Sequence, residues 1–160
     1  MAKVKPIPEN LHTLTPQLTC KGAAQAIEFY KKVFGAQEMM RFAGPGGSIM
    51  HASIRIGDST MFLNDEFPEM GNISPTTLGN TSVTLTIYTE DSDAMFKRAV
   101  DAGAQVKMPL DNQFWGDRYG EVQDPFGHRW AIATHIEDLS PDELKKRGTE
   151  AMSQMSQGKN

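Results

Sequence analysis

Cysteine is nearly absent: the 160 residues hold one, Cys20, so no disulfide can form within the chain. A domain of this length buries roughly 68–70% of its unfolded surface and needs neither a disulfide nor a structural metal to fold. Cys20 sits among strand-forming residues with no histidine or basic pair beside it, the setting of a structural thiol. A surplus of positive charge is also missing. Sixteen Lys and Arg against 20 Asp and Glu leave a net charge of −4. That balance argues against a nucleic-acid or anionic-membrane surface, since neutralising phosphates needs clustered Lys and Arg. No apolar run approaches the ~20 residues of a membrane span. The opening Met-Ala-Lys-Val-Lys-Pro carries charge but no apolar core or cleavage site, so no secretory signal is expected. Gly44-Pro45-Gly46-Gly47 leads into no Gly-Lys-Ser/Thr helix start and reads as a hairpin turn, not a phosphate loop. The expectation is a cytoplasmic protein.

What is present is a weak internal duplication. Gly35-Ala36-Gln37 closes one helical pattern and Gly103-Ala104-Gln105 closes another, an offset of 68. Ile27, Tyr30, Val33 and Phe34 share one helix face before the Gly35 stop. In the second copy Asp91 or Ser92 caps a helix bearing Met95, Phe96, Ala99 and Val100. Each helix follows a strand, Thr13–Cys20 in the first copy and Ser82–Tyr88 in the second, and precedes three more. The first copy continues with Glu38–Phe42, Ile49–Ile56 and Thr60–Asn64, its last pair turned by Gly57-Asp58. The second continues with Val106–Met108, Trp115–Gln123 and His128–Thr134, with Asp124-Pro125-Phe126-Gly127 as the turn.

Two tandem βαβββ modules of α+β class follow, with a curved mixed sheet as a half-barrel around a cavity and helices outside. One domain spans 1–136: module one about 12–65, a turn-rich linker at 66–80 and module two at 81–136. Residues 137–160 are expected to form a short helix from Ser140-Pro141-Asp142-Glu143, then a flexible polar tail beyond Arg147.

Several phrases sharpen this: Ala26-Ile27-Glu28-Phe29-Tyr30, Phe34-Gly35-Ala36, Met50-His51-Ala52, Arg55-Ile56-Gly57-Asp58-Ser59, Gln113-Phe114-Trp115-Gly116-Asp117-Arg118-Tyr119-Gly120 and Asp124-Pro125-Phe126-Gly127-His128. Over about residues 13–136 the chain resembles the glyoxalase/bleomycin-resistance/dioxygenase superfamily, the vicinal oxygen chelate fold, and within it the PhnB-like branch. That resemblance implies a cavity on the concave side, and either metal-dependent lyase, epimerase or dioxygenase chemistry or metal-free sequestration of an antibiotic. It also implies a homodimer. The superfamily's metal ligands come from first and last strands, which here match Thr15, Thr84, Ala131 and Met61 (Leu63 if the register slips). None is a His, Asp or Glu, and Gln17 offers only a neutral amide. No metal and no cofactor are therefore expected.

Strand alternation supplies the candidate site residues. Val83, Leu85 and Ile87 form the helix-packing face, which turns Thr84 to the other side. Met50, Ala52, Ile54 and Ile56 likewise leave His51, Ser53 and Arg55 on the open face. Counting six back from Gly57 and from Gly127 gives His51 and Glu121 as pseudo-symmetry mates. They form a general-base pair, contact a ligand or merely shape the cavity. Trp115 and Tyr119 offer flat apolar area, Arg118 an anion partner, and Gln113 and Asn64 polar contacts, though Trp115 also suits a barrel plug or a dimer interface. His12 and His135 are expected at the surface, and His128 solvent-facing or bonded within its turn.

The reading favoured is a metal-independent binder of a small organic molecule bearing aromatic or anionic groups. The alternative is a lyase, isomerase or dioxygenase with metal on His51, Glu121 and Gln17; the second alternative is an interaction module with a vestigial cavity.

Overall fold

The structure is a computed structural model and describes residues 4–158. The first three residues of the opening segment, and the last two of the expected tail, lie outside the described residues. The first module runs β1 (Gln17–Cys20), α1 (Ala23–Phe34), β2 (Gln37–Ala43), β3 (Ile49–Ile56) and β4 (Ser59–Asp65). A one-turn helix α2 (Pro75–Leu78) lies in the linker. The second module runs β5 (Thr84–Tyr88), α3 (Ser92–Asp101), β6 (Gln105–Asn112), β7 (Asp117–Gln123) and β8 (Arg129–His135), and α4 (Pro141–Gln157) follows. Each module makes a four-stranded mixed sheet with the same logic: β1-β4-β3-β2 in one and β5-β8-β7-β6 in the other, the first strand parallel to the last. These are two tandem βαβββ modules of α+β class.

The chain divides into two compact units whose boundary does not follow the sequence. The first unit runs through Val83 and also takes in Asp124–His128; the second holds Thr84–Gln123 and the chain from Arg129 onward.

In the first unit, α1 buries Ala23, Ala26, Ile27, Tyr30, Val33 and Phe34, a helix-period stripe. Fully burying an Ile or Val of this stripe contributes ~1.5–3 kcal/mol each. The helix has no side-chain cap of its own: Gly22 precedes it at φ 96°. Asp65, at the end of β4, caps it from a distance. Its Oδ1 accepts from Gly22 N (3.2 Å) and Ala23 N (2.7 Å), and its Oδ2 from Ile49 N (2.6 Å). One carboxylate thus fixes the start of α1 and the start of β3. At the other end of the core, the buried Tyr30 hydroxyl donates to Asp124 Oδ2 at 2.6 Å. Asp124 Oδ1 accepts from Phe126 N and His128 N, both at 2.9 Å, and Phe126 packs edge-on against Phe29 and Tyr30.

In the second unit, Asp91 caps α3 by accepting from Ala94 N at 2.9 Å, and Met95 and Ala99 face the sheet. Gly120 permits this approach: a Cβ there would lie 2.8 Å from Phe96 and from the Leu110 backbone. Strand β6 extends to Asn112, past the expected Val106–Met108 and through Pro109. Pro109 is tolerated because β6 is the end strand of its sheet and its register shifts between Met108 and Asp111. Strand β7 begins at Asp117, not Trp115, since Gly116 turns at φ 97° against the Glu137 carbonyl. The terminal helix is also longer than expected. Ser140 caps it, Arg147 bonds Glu143 and Glu137, and good helix formers carry it on to Gln157 although none of its residues is buried.

Candidate functional site

Residues paired across neighbouring strands share a sheet face, so the register identifies what each face carries. In the first sheet Leu18, Cys20, Ala52, Ile54, Met61 and Leu63 are all buried. The other face carries Gln17 and Thr19 on β1, Phe62 and Asn64 on β4, and His51, Ser53 and Arg55 on β3. The expected alternation of β3 is correct, but the positions matched to a ligand on β4 do not lie on the open face. Met61 and Leu63 belong to the buried layer, because the pairings Gln17↔Phe62 and Thr19↔Asn64 leave Phe62 and Asn64 on the open face.

Three groups share that face. Gln17 Nε2 donates to Asn64 Oδ1 at 2.8 Å, and Asn64 Nδ2 donates to the Asp65 carbonyl at 2.8 Å and to Thr19 Oγ1 at 3.4 Å. The half-buried His51 ring lies 4.8 Å from the Phe62 ring. Arg55 is drawn aside, its Nη2 donating to Gln37 Oε1 at 2.9 Å. Beside β1 the same unit holds a cleft of about 530 Å³ between Gln17 and Thr19, the Ile73–Leu78 stretch of the linker and His128. The linker wall is pinned by Glu66, whose carboxylate accepts from Ser74 N, Ser74 Oγ and Thr77 Oγ1 and is held below the usual carboxylate range by those bonds. His128 was expected to be solvent-facing or bonded within its turn. Its backbone does bond Asp124 in the turn, but the side chain is buried, 8% exposed, and its Nε2 donates to the Thr19 carbonyl at 3.0 Å.

The second sheet has its own open face: Thr84, Thr86 and Tyr88 on β5, Arg129, Ala131, Ala133 and His135 on β8, and Asp117, Tyr119 and Glu121 on β7. Two alanine methyls therefore lie between longer side chains, as a trough between Thr86 and Glu121 requires. Tyr119 Oη donates to Glu121 Oε1 at 2.8 Å, and Arg129 Nε stands 3.7 Å from Glu121 Oε2. Partial burial and the neighbouring carboxylate push the Tyr119 phenol up to about 12. Trp115 packs edge-on against Tyr119 and Phe114. Gln113 closes the turn, its backbone N–H donating to the Asp117 carbonyl at 2.8 Å. Arg118 is not in this group. It points to the helix side, where Nε and Nη2 hold both oxygens of Asp93 at 2.6 and 2.7 Å and Nη1 donates to Asn112.

Sequence reasoning missed the densest polar cluster of this unit. Asp117, 4% exposed, accepts from Tyr88 Oη (2.8 Å) and Trp115 Nε1 (3.1 Å) at one oxygen and from His135 Nδ1 (2.8 Å) at the other. His135 Nε2 meets Asp138 at 2.9 Å. Burial pushes the Asp117 carboxyl up, yet the bonds from His135, Tyr88 and Trp115 outweigh it and hold the group below its ordinary value. His135 is pushed up by Asp117 and then Asp138. His135 is exposed as expected, but it is the last residue of β8 and not past it.

Among the described residues no three His, Cys, Asp or Glu gather closely enough to hold a metal ion. On the first open face the His51 ring lies against Phe62, whereas Gln17 lies two strands away and two residues along, roughly 12 Å between Cα positions. Gln17 and Asn64 are already bonded to each other. Glu121 belongs to the second unit, with a phenol and a guanidinium at its oxygens. Among the described residues no helix is long and apolar enough to cross a membrane.

Comparison with known proteins agrees with the fold. An uncharacterised protein of Mycobacterium bovis is 45% identical over 135 residues, spanning 82% of this chain and 89% of its own. The structure of the PhnB protein from Bacillus cereus superposes with a TM-score of 0.55 at 20% identity, covering 77% of this chain and 99% of its own. A bleomycin-binding protein complexed with bleomycin gives 0.54 at 17% identity, over 77% and 98%. The sequence profile of one family matches residues 11–132, so the chain belongs to the Glyoxalase/Bleomycin resistance protein/Dioxygenase superfamily.

Proposed function

We propose that this protein binds a small organic molecule directly through its side chains, without a resident metal. The cleft of about 530 Å³ in the first unit carries this reading, since its volume falls in the range of ligand pockets and its lining mixes apolar walls with convergent polar groups. The scattered donor set supports the metal-free part. The fold shared with a bleomycin-binding protein supports an organic ligand. On this reading the protein works in the cytoplasm as a homodimer, and the exposed Met39, Met40 and Phe42 along end strand β2 support such pairing.

The test is thermal melting against a panel of organic compounds, with and without chelator, alongside elemental analysis. A ligand that binds the folded state raises the melting temperature by mass action, and chelator leaves the melt unchanged. One divalent ion per chain with a chelator-sensitive melt would overturn the proposal in favour of metal chemistry.

A further inference from the structure

The cleft in the first unit has a hydrogen-bonding polarity that its internal bonds determine. His128 Nε2 faces the Thr19 carbonyl, which can only accept, so Nε2 carries the proton and Nδ1 of the neutral ring is an acceptor. The backbone beneath the ring is anchored, because the His128 N–H is tied to Asp124, whose other oxygen holds the buried Tyr30 hydroxyl. Gln17 spends one of its two amide N–H groups on Asn64, and its Oε1 remains as a second acceptor. Two other lining residues have the reverse polarity. Asn80 Oδ1 is taken by Thr81 N at 2.8 Å, leaving its NH₂ to donate. Thr81 Oγ1 accepts from Val83 N at 3.3 Å, leaving its hydroxyl proton to donate.

Charge is the other constraint. The lining residues include no Lys, Arg, Asp or Glu. Glu66, on the adjoining wall, is already bonded to Ser74 and Thr77. An ionic group entering this cleft loses hydration and meets no charged lining residue, whereas a neutral amide meets matched donors and acceptors. Ile73 and Leu78, both exposed, and the buried Pro75 present an aliphatic flank.

We infer that the cleft selects uncharged, amide-bearing molecules with an aliphatic side, their N–H groups turned to His128 Nδ1 and Gln17 Oε1 and their carbonyls to Asn80 and Thr81. This rests on the binding reading above but goes beyond it in naming the ligand class and the residues that discriminate.

Three probes of one skeleton test it on the full chain: N-acetyl-L-leucinamide (neutral), N-acetyl-L-leucine (anionic) and L-leucinamide (cationic), titrated while amide resonances are followed. The expected result is shifts around Gln17, Thr19, Asn80 and Thr81, with the neutral probe at least tenfold tighter than either ion. His128→Phe should abolish that binding. Should this variant fail to fold, Asn80→Asp serves instead. It keeps the acceptor for Thr81 N at an exposed position, adds one negative charge, and should turn the preference toward L-leucinamide at least tenfold. Equal or tighter binding of an ionic probe at these residues overturns the inference but leaves ligand binding intact. No shift at the cleft with any probe also overturns it, and if the wider panel raises no melt the binding reading falls as well.

Discussion

Asp65 makes the sharpest stability prediction, because one side chain does the work of a missing helix cap and a strand anchor. Asp65→Ala removes acceptors from Gly22 N, Ala23 N and Ile49 N, the last two bonded at 2.7 and 2.6 Å. A hydrogen bond to a charged group is worth ~1.5–3 kcal/mol. Counting the two short bonds near the low end of that range, and the longer one to Gly22 as a minor addition, gives an expected loss of about 3–5 kcal/mol. That is a large fraction of the ~5–15 kcal/mol of a typical domain. Asp65→Asn should fall between, at about 2 kcal/mol: one oxygen stays on the helix while the amide NH₂ meets the Ile49 N–H donor to donor. Urea unfolding read by circular dichroism measures both, at unchanged m-value. A loss under ~1 kcal/mol for Asp65→Ala would refute the reasoning, since water would then be replacing the carboxylate at the start of α1.

Three other outcomes are expected. The Asp117–His135 pair makes stability depend on pH. A depressed Asp stabilises above its unfolded value of ~3.9 and loses that contribution as pH falls further, while a raised His stabilises fully below ~6.5 and loses it as pH rises. The stability gap between the wild type and His135→Asn should thus be widest from about pH 4 to 6.5; a gap that stays flat in urea titrations from about pH 3 to 9 would contradict it. Gly120→Ala places a methyl 2.8 Å from Phe96 and Leu110 and should lower stability by about 1–3 kcal/mol in calorimetry or urea unfolding. Arg118→Gln should leave any ligand-induced rise in melting temperature unchanged, because Arg118 is already engaged with Asp93; loss of that rise would show the guanidinium leaving Asp93 for the ligand.

Local signals were legible in the sequence, and long-range ones were not. The Gly35 stop, the Asp91 and Ser140 caps and the β3 alternation each rest on residues a few positions apart, and all stand in the structure. On β4 three apolar residues run together, Met61, Phe62 and Leu63, so alternation alone does not choose a face, and the pairing with β1 decides it. His128, Asp65 and Asp117 act on partners up to 109 residues away, and no local spacing encodes such a contact. Arg118 divides between the two kinds of signal. Period-two alternation puts it opposite Tyr119 and Glu121, and only the position of α3 reveals Asp93 as its partner.

The Asp124–His128 turn completes the first unit from a place far along the chain. Synthesis is directional, and that has a kinetic consequence. When Val83 has been made, Tyr30 still lacks Asp124 and Phe29 still lacks Phe126. At ~5–20 residues per second, the 128 − 83 = 45 residues separating Val83 from His128 add roughly 2–9 seconds. Through that interval the nascent first unit carries an unfinished aromatic cluster, so it reaches its native core only as the second module's hairpin emerges.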